Sequence, residues 1–337
     1  MNKTLENRVD YVDNIKALAC ALVVLGHFVM SMDASQILPY NAVTEWFKEA
    51  IYLFHVHLFF MCSGFLYIFS IKQKNNYKYP SFVLKKLLAL GVPYFTFTAV
   101  TVLMKQLAGD AVNDEAGDLI YTLFIEPTAP YWYLYVLFFL FLVIPPLKDK
   151  KAFSILLALS LALKIITVTN ILSGVNLPYF VTGIMGNSIW FVLGMALCVY
   201  EFKPKKSYLF AGCAAFSIFT ALSIVKYHFE FTSKPVAFLL GLIAVISIFM
   251  MFSDSNVKRG KITEFLIKYN LPIFLMHTIF AAGIRVVLMK IGINQWYIHI
   301  PLGLVATFIG PAIAAFIMNK TKYLEFFIYP TRLIKIK

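Results

Sequence analysis

Long runs of apolar residues, separated by short polar segments, recur along the whole chain. Most of these runs reach the ~20 consecutive apolar residues that an α-helix needs to cross a membrane. They lie at residues 14–32, 46–70, 82–104, 131–147, 152–171, 178–200, 207–226, 235–252, 271–290 and 298–319. Since only helices and closed barrels satisfy the backbone in lipid, the pattern predicts an all-α, polytopic integral membrane protein with about ten transmembrane helices.

Composition supports the same fold class. Hydrophobic residues occupy 60% of the 337 positions and charged residues only 14%. Soluble globular domains are closer to half apolar, which excludes an ordinary soluble protein. No internal repeat and no linker rich in Gly, Pro or Ser divides the sequence. We therefore expect a single transmembrane domain over residues 1–337, ending in a short basic cytoplasmic tail at 320–337.

The net charge of +13 indicates an orientation in the membrane and not a nucleic-acid partner. If the N-terminus is cytoplasmic, the inner segments hold most of the 30 lysines and arginines. The loop at 105–130 has the opposite balance, with Lys105 against Asp110, Asp114, Glu115, Asp118 and Glu126. This positive-inside distribution predicts a multi-pass protein of the cell membrane with both termini in the cytoplasm.

The first apolar run contains two polar side chains, Lys16 and His27, eleven positions apart. Eleven residues of α-helix make three turns plus about 20°, so both side chains share one face, about 16 Å apart along the axis. Lys16 then lies at the inner edge and His27 near the middle of the ~30 Å hydrocarbon core. An ionisable group at that depth usually faces a cavity. The alternatives are that Lys16 snorkels to headgroups and that His27 hydrogen-bonds a neighbouring helix.

The sequence around these two residues resembles the membrane-bound acyltransferase 3 family, which includes cell-surface polysaccharide O-acetyltransferases. "VDNIKALACALVVLGH" resembles the first span of that family, with Asp13, Lys16 and His27 on its characteristic positions. "FHVHLFFMCSGFL" (54–66) resembles its second span. Weaker matches follow in family order over about residues 9–285: "LKKLLALGVPYF", "PYWYLYVLFFLFLVIPPL", "WFVLGMAL" and "LPIFLMHTIF".

Three positions depart from the family pattern. Lys16 stands where the family usually has Arg, and it offers a point charge in place of a planar fork. His57 stands where Pro is common, and Ala89 stands where an arginine often precedes the Pro of the third span.

The resemblance implies transfer of an acyl group, expected to be acetyl, from cytoplasmic acyl-CoA to a hydroxyl of an extracytoplasmic carbohydrate such as a cell-envelope polysaccharide. Acetyl-CoA would be a co-substrate, and neither a permanently bound cofactor nor a metal is expected. Transfer is either direct or completed by a separate extracytoplasmic transferase or polysaccharide assembly machinery.

The resemblance and the charge pattern together assign roles to particular side chains. His27 and His55 are the catalytic candidates, because an imidazole can act as a general base near neutral pH. The donor-binding candidates are basic residues at the inner mouth and the carboxylate beside them: Lys16, Asp13, Lys85 and Lys86. Asp13 is expected either to pair with Lys16 or to cap the start of the helix.

Five further residues are candidates for the acceptor side or its pocket: Ser63, Trp132, Tyr133, His277 and Arg285. Ser63 and Gly64 are expected to interrupt their span, and backbone packing is the alternative to a chemical role. Trp132 and Tyr133 suit either a sugar-stacking platform or an interfacial aromatic belt. Lys164, in the outer half of its span, is expected to snorkel to the headgroups.

An exporter of polysaccharide intermediates is the alternative class of function. It would explain a polar path lined by helices, but such transporters favour repeated halves with matching broken helices. The sequence contains no such repeat.

Overall fold

The computed structural model describes residues 9–73, 78–109, 113, 117–147, 149–202, 205, 207–253 and 259–336. Some charged residues used to predict the orientation lie outside these ranges, namely Lys3, Arg8, Lys74, Asp110, Asp114, Glu115, Lys148, Lys203, Lys206, Lys258 and Lys337.

The described residues form helices and contain no strand, as predicted. The first helices are α1 (Asp10–Ala34), α2 (Ala42–Tyr52), α3 (His55–Lys72), α4 (Tyr79–Lys86), α5 (Val92–Ala108), α6 (Leu119–Phe124), α7 (Trp132–Val143) and α8 (Lys150–Val168). They are followed by α9 (Tyr179–Val199), α10 (Ser207–His228), α11 (Lys234–Phe252), α12 (Lys261–Lys268), α13 (Asn270–Lys290), α14 (Trp296–Met318), α15 (Lys322–Ile328) and α16 (Pro330–Leu333).

Within the described ranges, nine helical segments are long and apolar enough to cross a membrane. The one predicted span without such a segment, 131–147, contains only the 12-residue helix α7. Such a helix is about 18 Å long, shorter than the ~30 Å hydrocarbon core. It ends before Pro145 and Pro146, which cannot continue a helix because proline has no N–H to donate.

The predicted interruption at Ser63 and Gly64 is wrong, because α3 passes through both residues without a break. The chain turns instead at Leu53 and Phe54, between α2 and α3. Gly64 serves helix packing: a Cβ there would overlap the carbonyl oxygen of Phe191 on α9.

Gly194 on α9 makes the reciprocal approach to the carbonyl oxygen of Met61. Helices α3 and α9 therefore cross with their backbones in contact, which is the usual use of small residues between membrane helices.

A π-helical turn, Leu87–Gly91, joins α4 to α5. It lies just before Pro93, whose missing N–H leaves the carbonyl of Ala89 without its usual helical donor. A local π-helical turn is one of the adjustments by which membrane helices satisfy the backbone groups that a proline frees.

The chain divides into two compact units. The first comprises Met1–Leu22, Glu45–Tyr77 and Val143–Ile267. The second comprises Val23–Thr44, Lys78–Leu142 and Lys268–Lys337. In the first unit, Trp190 and Phe191 of α9 are fully buried. In the second, Phe28, Met32, Ile37 and Ala281 form a buried apolar cluster.

Contacts inside the first unit determine whether α7 must be counted as a crossing. Arg259, after α11, lies 2.7 Å from the carboxylate of Asp10 at the start of α1. The two ends therefore lie on one side, which requires an even number of crossings between them. Among the described residues, seven long apolar segments run from α1 to α11. If each of them crosses the membrane once, the segment containing α7 supplies the eighth crossing.

A second contact also requires an even number of crossings between two helix ends. Lys72, in the last turn of α3, donates a hydrogen bond of 2.9 Å to the carbonyl of Cys198 near the end of α9. Three long apolar segments of the described chain separate these two helix ends. If each crosses once, the stretch around α7 again adds one crossing, in line with the predicted total of about ten.

Candidate functional site

The N-terminal turn of α1 is held by a cation that the sequence did not single out. Arg259 Nη2 lies 2.7 Å from Asp10 and 3.7 Å from Asp13, and Nε donates to Asn14 at 3.0 Å. The helix begins at Asp10, so Asp13 lies inside the first turn and the prediction that it caps the helix is wrong. Carboxylates in a first turn stabilise the helix dipole. Lys16, one turn further, is half-buried.

His27 and His277 form a pair in the second unit. Their ring centroids are 5.3 Å apart and the ring planes are inclined by 47°. His27 is half-buried on α1, whereas His277 on α13 is fully buried. Two imidazoles that lie 250 positions apart in the sequence thus meet on one side of α1.

The hydrogen bonds of His277 define its tautomer. Its Nδ1 lies 3.0 Å from the carbonyl oxygen of Ile273 and 2.9 Å from that of Phe274. Because carbonyl oxygens only accept, the hydrogen of the neutral ring belongs on Nδ1. Nε2 then carries the lone pair, and it has no hydrogen-bond partner within the described part of the chain. A buried basic nitrogen without a partner costs free energy and often marks a functional position.

A contact between Arg285 and Ser31 sets the register of α13 against α1. Arg285 Nη1 donates to the carbonyl oxygen of Ser31 at 3.0 Å and lies 2.7 Å from its hydroxyl. Ser31 follows His27 by about 6 Å of helix, and Arg285 follows His277 by about 12 Å. Helical side chains lean toward the N-terminus, so this pattern fits parallel helices and excludes antiparallel ones. α1 and α13 therefore run in the same direction.

Arg285 was a candidate for an outer polar pocket, and the structure gives its guanidinium a defined partner. The side chain is buried, at 2% exposure. The carbonyl of Ser31 that it contacts also accepts from Asn113 Nδ2 at 2.9 Å, and Ser35 Oγ lies 2.8 Å from Asn113 Oδ1. These four residues form a polar cluster beyond the histidine pair.

The aromatic segment at the start of α7 packs inside the second unit. Tyr133 is buried, with its ring 5.6 Å from that of Phe274, while Trp132 is half-buried. Tyr131, in the same aromatic segment, is fully buried and donates to the carbonyl of Leu275 at 2.8 Å. Tyr131 and Tyr133 therefore support the helix that carries His277.

The two lysines before the π-helical turn have different surroundings. Lys86 Nζ lies 3.9 Å from the ring centroid of Phe141 and 5.3 Å from that of Phe82. This is cation–π geometry, which stabilises the charge beside an apolar surface. Lys85 is half-buried on α4.

His55 and Ser63 belong to the first unit. His55 is buried, and its Nδ1 donates to the carbonyl of Ile51 at 2.6 Å. Its ring meets that of Tyr52 edge-on at 4.6 Å, so it links the end of α2 to the start of α3. Ser63 is half-buried on α3.

Comparison with known protein families identifies the chain. The model of the acyltransferase 3 family, described as an acyltransferase domain, matches residues 9–316. No curated protein and no solved structure matches the sequence. The matched region contains both histidines, Lys16 and Arg285 and extends almost to the end of α14. The chain belongs to the acyltransferase 3 family and is a multi-pass membrane acyltransferase.

Proposed function

We propose that this acyltransferase moves an acyl group, expected to be acetyl, from cytoplasmic acyl-CoA to a hydroxyl of an extracytoplasmic carbohydrate such as a cell-envelope polysaccharide. The observation that carries the proposal is the His27–His277 pair, with ring centroids 5.3 Å apart on two apolar helices. A mid-membrane pair of imidazoles is costly to maintain, and it supplies the base that O-acylation requires.

The donor enters from the side on which α1 begins. Lys16 is half-buried about 16 Å before His27 on the same helix face. A cation at this position attracts the phosphates of CoA and forms charge-assisted hydrogen bonds with them. Lys85 and Lys86 are further candidates for this role, and the thin pantetheine arm would then follow α1 toward His27.

The chemistry at His27 is general-base catalysis. His27 takes the proton of the sugar hydroxyl as its oxygen attacks the thioester carbonyl. A C–O bond forms, the C–S bond breaks, and the proton passes to the departing CoA thiolate. The alternative is that His27 itself carries the acyl group between two such steps.

His277 acts on His27 as a positioning residue. Its Nδ1–H is engaged by two backbone carbonyls, which leaves the lone pair on Nε2. Nε2 accepts no hydrogen bond from the described residues in the resting structure. An N–H of His27 that turned to it would fix the tautomer that keeps a lone pair for the substrate, in the way a carboxylate orients a catalytic histidine.

Membership of the acyltransferase family argues against the exporter alternative. A protein that only exported glycans would need neither a donor for acyl groups nor a basic imidazole at mid-depth. Acyl transfer and glycan export can be separated by assay, because only the former consumes acyl-CoA.

The decisive experiment compares envelope glycans from cells that produce the wild type, His27→Ala or no protein. Mass spectrometry should find an O-acyl group, expected to be acetyl, only with the wild type. Normal acylation by folded His27→Ala would contradict the proposal. Consumption of acyl-CoA without O-acylated glycan would point to a different acceptor.

A further inference from the structure

The first unit contains a cavity of about 490 Å³ that the sequence did not predict. It lies where the end of α8, the start of α9, the start of α11 and the end of α2 meet. A volume of several hundred Å³ is typical of sites for small molecules. Its lining residues belong to the first unit, whereas His27 and His277 belong to the second.

Lys164 occupies this cavity in a manner that contradicts its predicted snorkelling. Nζ donates to the carbonyl of Gly186 at 3.0 Å and lies 5.4 Å from the ring centroid of Phe238 and 6.0 Å from that of Trp190. The ammonium group is therefore turned toward neighbouring helices. His57, stacked on Trp190 at 4.2 Å, lines the same cavity.

The cavity has excess positive charge. Lys164 and Lys234 both line it, and none of the aspartates or glutamates in the described part of the chain does. Neither lysine forms an ion pair with any described carboxylate; Lys234 donates to the amide oxygen of Asn170 at 2.7 Å. Lys234 is exposed, whereas Lys164 is partly buried. A partly buried cation without a counter-ion is costly, so an anionic ligand beside Lys164 would be favoured.

The remaining lining is mostly apolar but includes a set of hydrogen-bonding groups that suits a sugar. Hydroxyl and amide groups of Thr167, Asn170, Ser173 and Thr182 can match several ligand hydroxyls, and the rings of Tyr52 and Phe238 can cover apolar sugar faces. A lipid phosphate would use the cations but would have no need for this set of hydrogen-bonding groups.

The cavity lies on the membrane side opposite the start of α1. Helix α11 begins at the cavity with Lys234, and the chain just beyond its end places Arg259 against Asp10. Helix α9 likewise begins beside the cavity and ends where Lys72 contacts Cys198. Each helix crosses once, so the cavity opens on the face away from the donor entrance.

We infer that this cavity binds an acidic sugar unit of the acceptor glycan, with Lys164 and Lys234 facing its carboxylate or phosphate. The inference rests on the proposed function in one respect, because that proposal puts the start of α1 in the cytoplasm. The acceptor would then be an anionic glycan, held at an extracytoplasmic subsite by charge and by sugar hydroxyls.

The test measures binding to the full-length protein in phosphatidylcholine nanodiscs. The probes are tetragalacturonate and its fully methyl-esterified form, which has the same backbone without charge. The wild type should bind the acidic form at least about tenfold more tightly. Lys164→Met should weaken that binding by about ten- to a hundredfold, and Lys164→Arg should retain most of it.

Lys151→Met is the matched control, because it removes the same charge from an exposed position on the same helix. It should leave binding of both probes unchanged. Equal binding of the two probes, or equal effects of Lys151→Met and Lys164→Met, would overturn the inference. Competition by phosphatidylglycerol added to the nanodiscs would identify a lipid headgroup as the occupant and would overturn the sugar assignment.

Failure of the inference and failure of the proposed function give different results. His27→Ala should bind tetragalacturonate like the wild type while acyl transfer is lost. If Lys164→Met abolishes acidic binding but His27→Ala transfers acyl groups normally, the cavity assignment stands and the proposed mechanism fails. If Lys164→Met leaves acidic binding unchanged but His27→Ala loses acyl transfer, the cavity assignment fails and the proposed mechanism stands.

Discussion

Arg285 on α13 and Ser31 on α1 are joined through Nη1 of the arginine, which lies 3.0 Å from the serine carbonyl oxygen and 2.7 Å from its hydroxyl. The contact lies one helical turn beyond His27 and about two turns beyond His277. It holds two parallel helices in the register that brings the two imidazoles together.

The first prediction concerns this link. Arg285→Met removes charge-assisted bonds worth about 1.5–3 kcal/mol, and Ser31→Ala removes only the hydroxyl contact, worth about 1 kcal/mol. Thermal unfolding in detergent should show a clear loss of stability for Arg285→Met and a small one for Ser31→Ala. Equal midpoints for both variants and the wild type would mean that the contact does not hold the helices.

The second prediction separates catalysis from binding at the histidine pair. His27→Ala should lower acyl transfer by about 10²–10⁴-fold, the usual contribution of a general base, while acyl-CoA still binds. His277→Ala should have a smaller effect on turnover, which His277→Gln partly restores because an amide oxygen can replace the Nε2 acceptor. If the folded His27→Ala variant shows normal turnover, the imidazole of His27 has only a packing role.

The third prediction concerns the donor entrance. Lys16→Ala should weaken acyl-CoA binding by about ten- to a hundredfold, because it removes a charge-assisted phosphate contact. Lys16→Arg should keep most of the affinity. Lys290→Ala, at an exposed position in the last turn of α13, controls for the loss of one positive charge. A similar effect at both lysines would exclude a specific role for Lys16.

The fourth prediction tests the short helix α7 as a crossing. Single cysteines at Asn113, Lys151 and Gly174 are introduced with Cys213, the exposed native cysteine, replaced by serine. If α7 completes a crossing and the N-terminus is cytoplasmic, an impermeant thiol reagent should label positions 113 and 174 in intact cells but not 151. Labelling of 113 and 174 on opposite sides would show that the chain does not cross at α7.

The fifth prediction concerns the crossing of α3 and α9. Gly64→Ala and Gly194→Ala each place a methyl group on the partner's backbone, so each should destabilise the protein by about 1–3 kcal/mol. Gly283→Ala on α13 meets nothing within 4 Å and should be neutral or mildly stabilising. The three variants can be compared by thermal unfolding, and tolerance of alanine at both crossing glycines would argue against close backbone contact.

The sequence by itself determined the fold class, because ~20-residue apolar runs in lipid leave the helix as the available backbone structure. It also placed Lys16 and His27 on one face of α1, since helical period relates residues that are close in sequence. The two motifs of the first spans identified the family, which the match over residues 9–316 bears out.

Tertiary structure decided which polar side chains meet. Arg259 with Asp10, His277 with His27, and Lys164 with Gly186 are pairs whose members come from different helices or loops. Apolar residues surround most of these helices on every side, so periodicity does not reveal which face meets which neighbour. In lipid that choice depends on backbone fit and on partners for the few polar groups, and both exist only once the helices have packed.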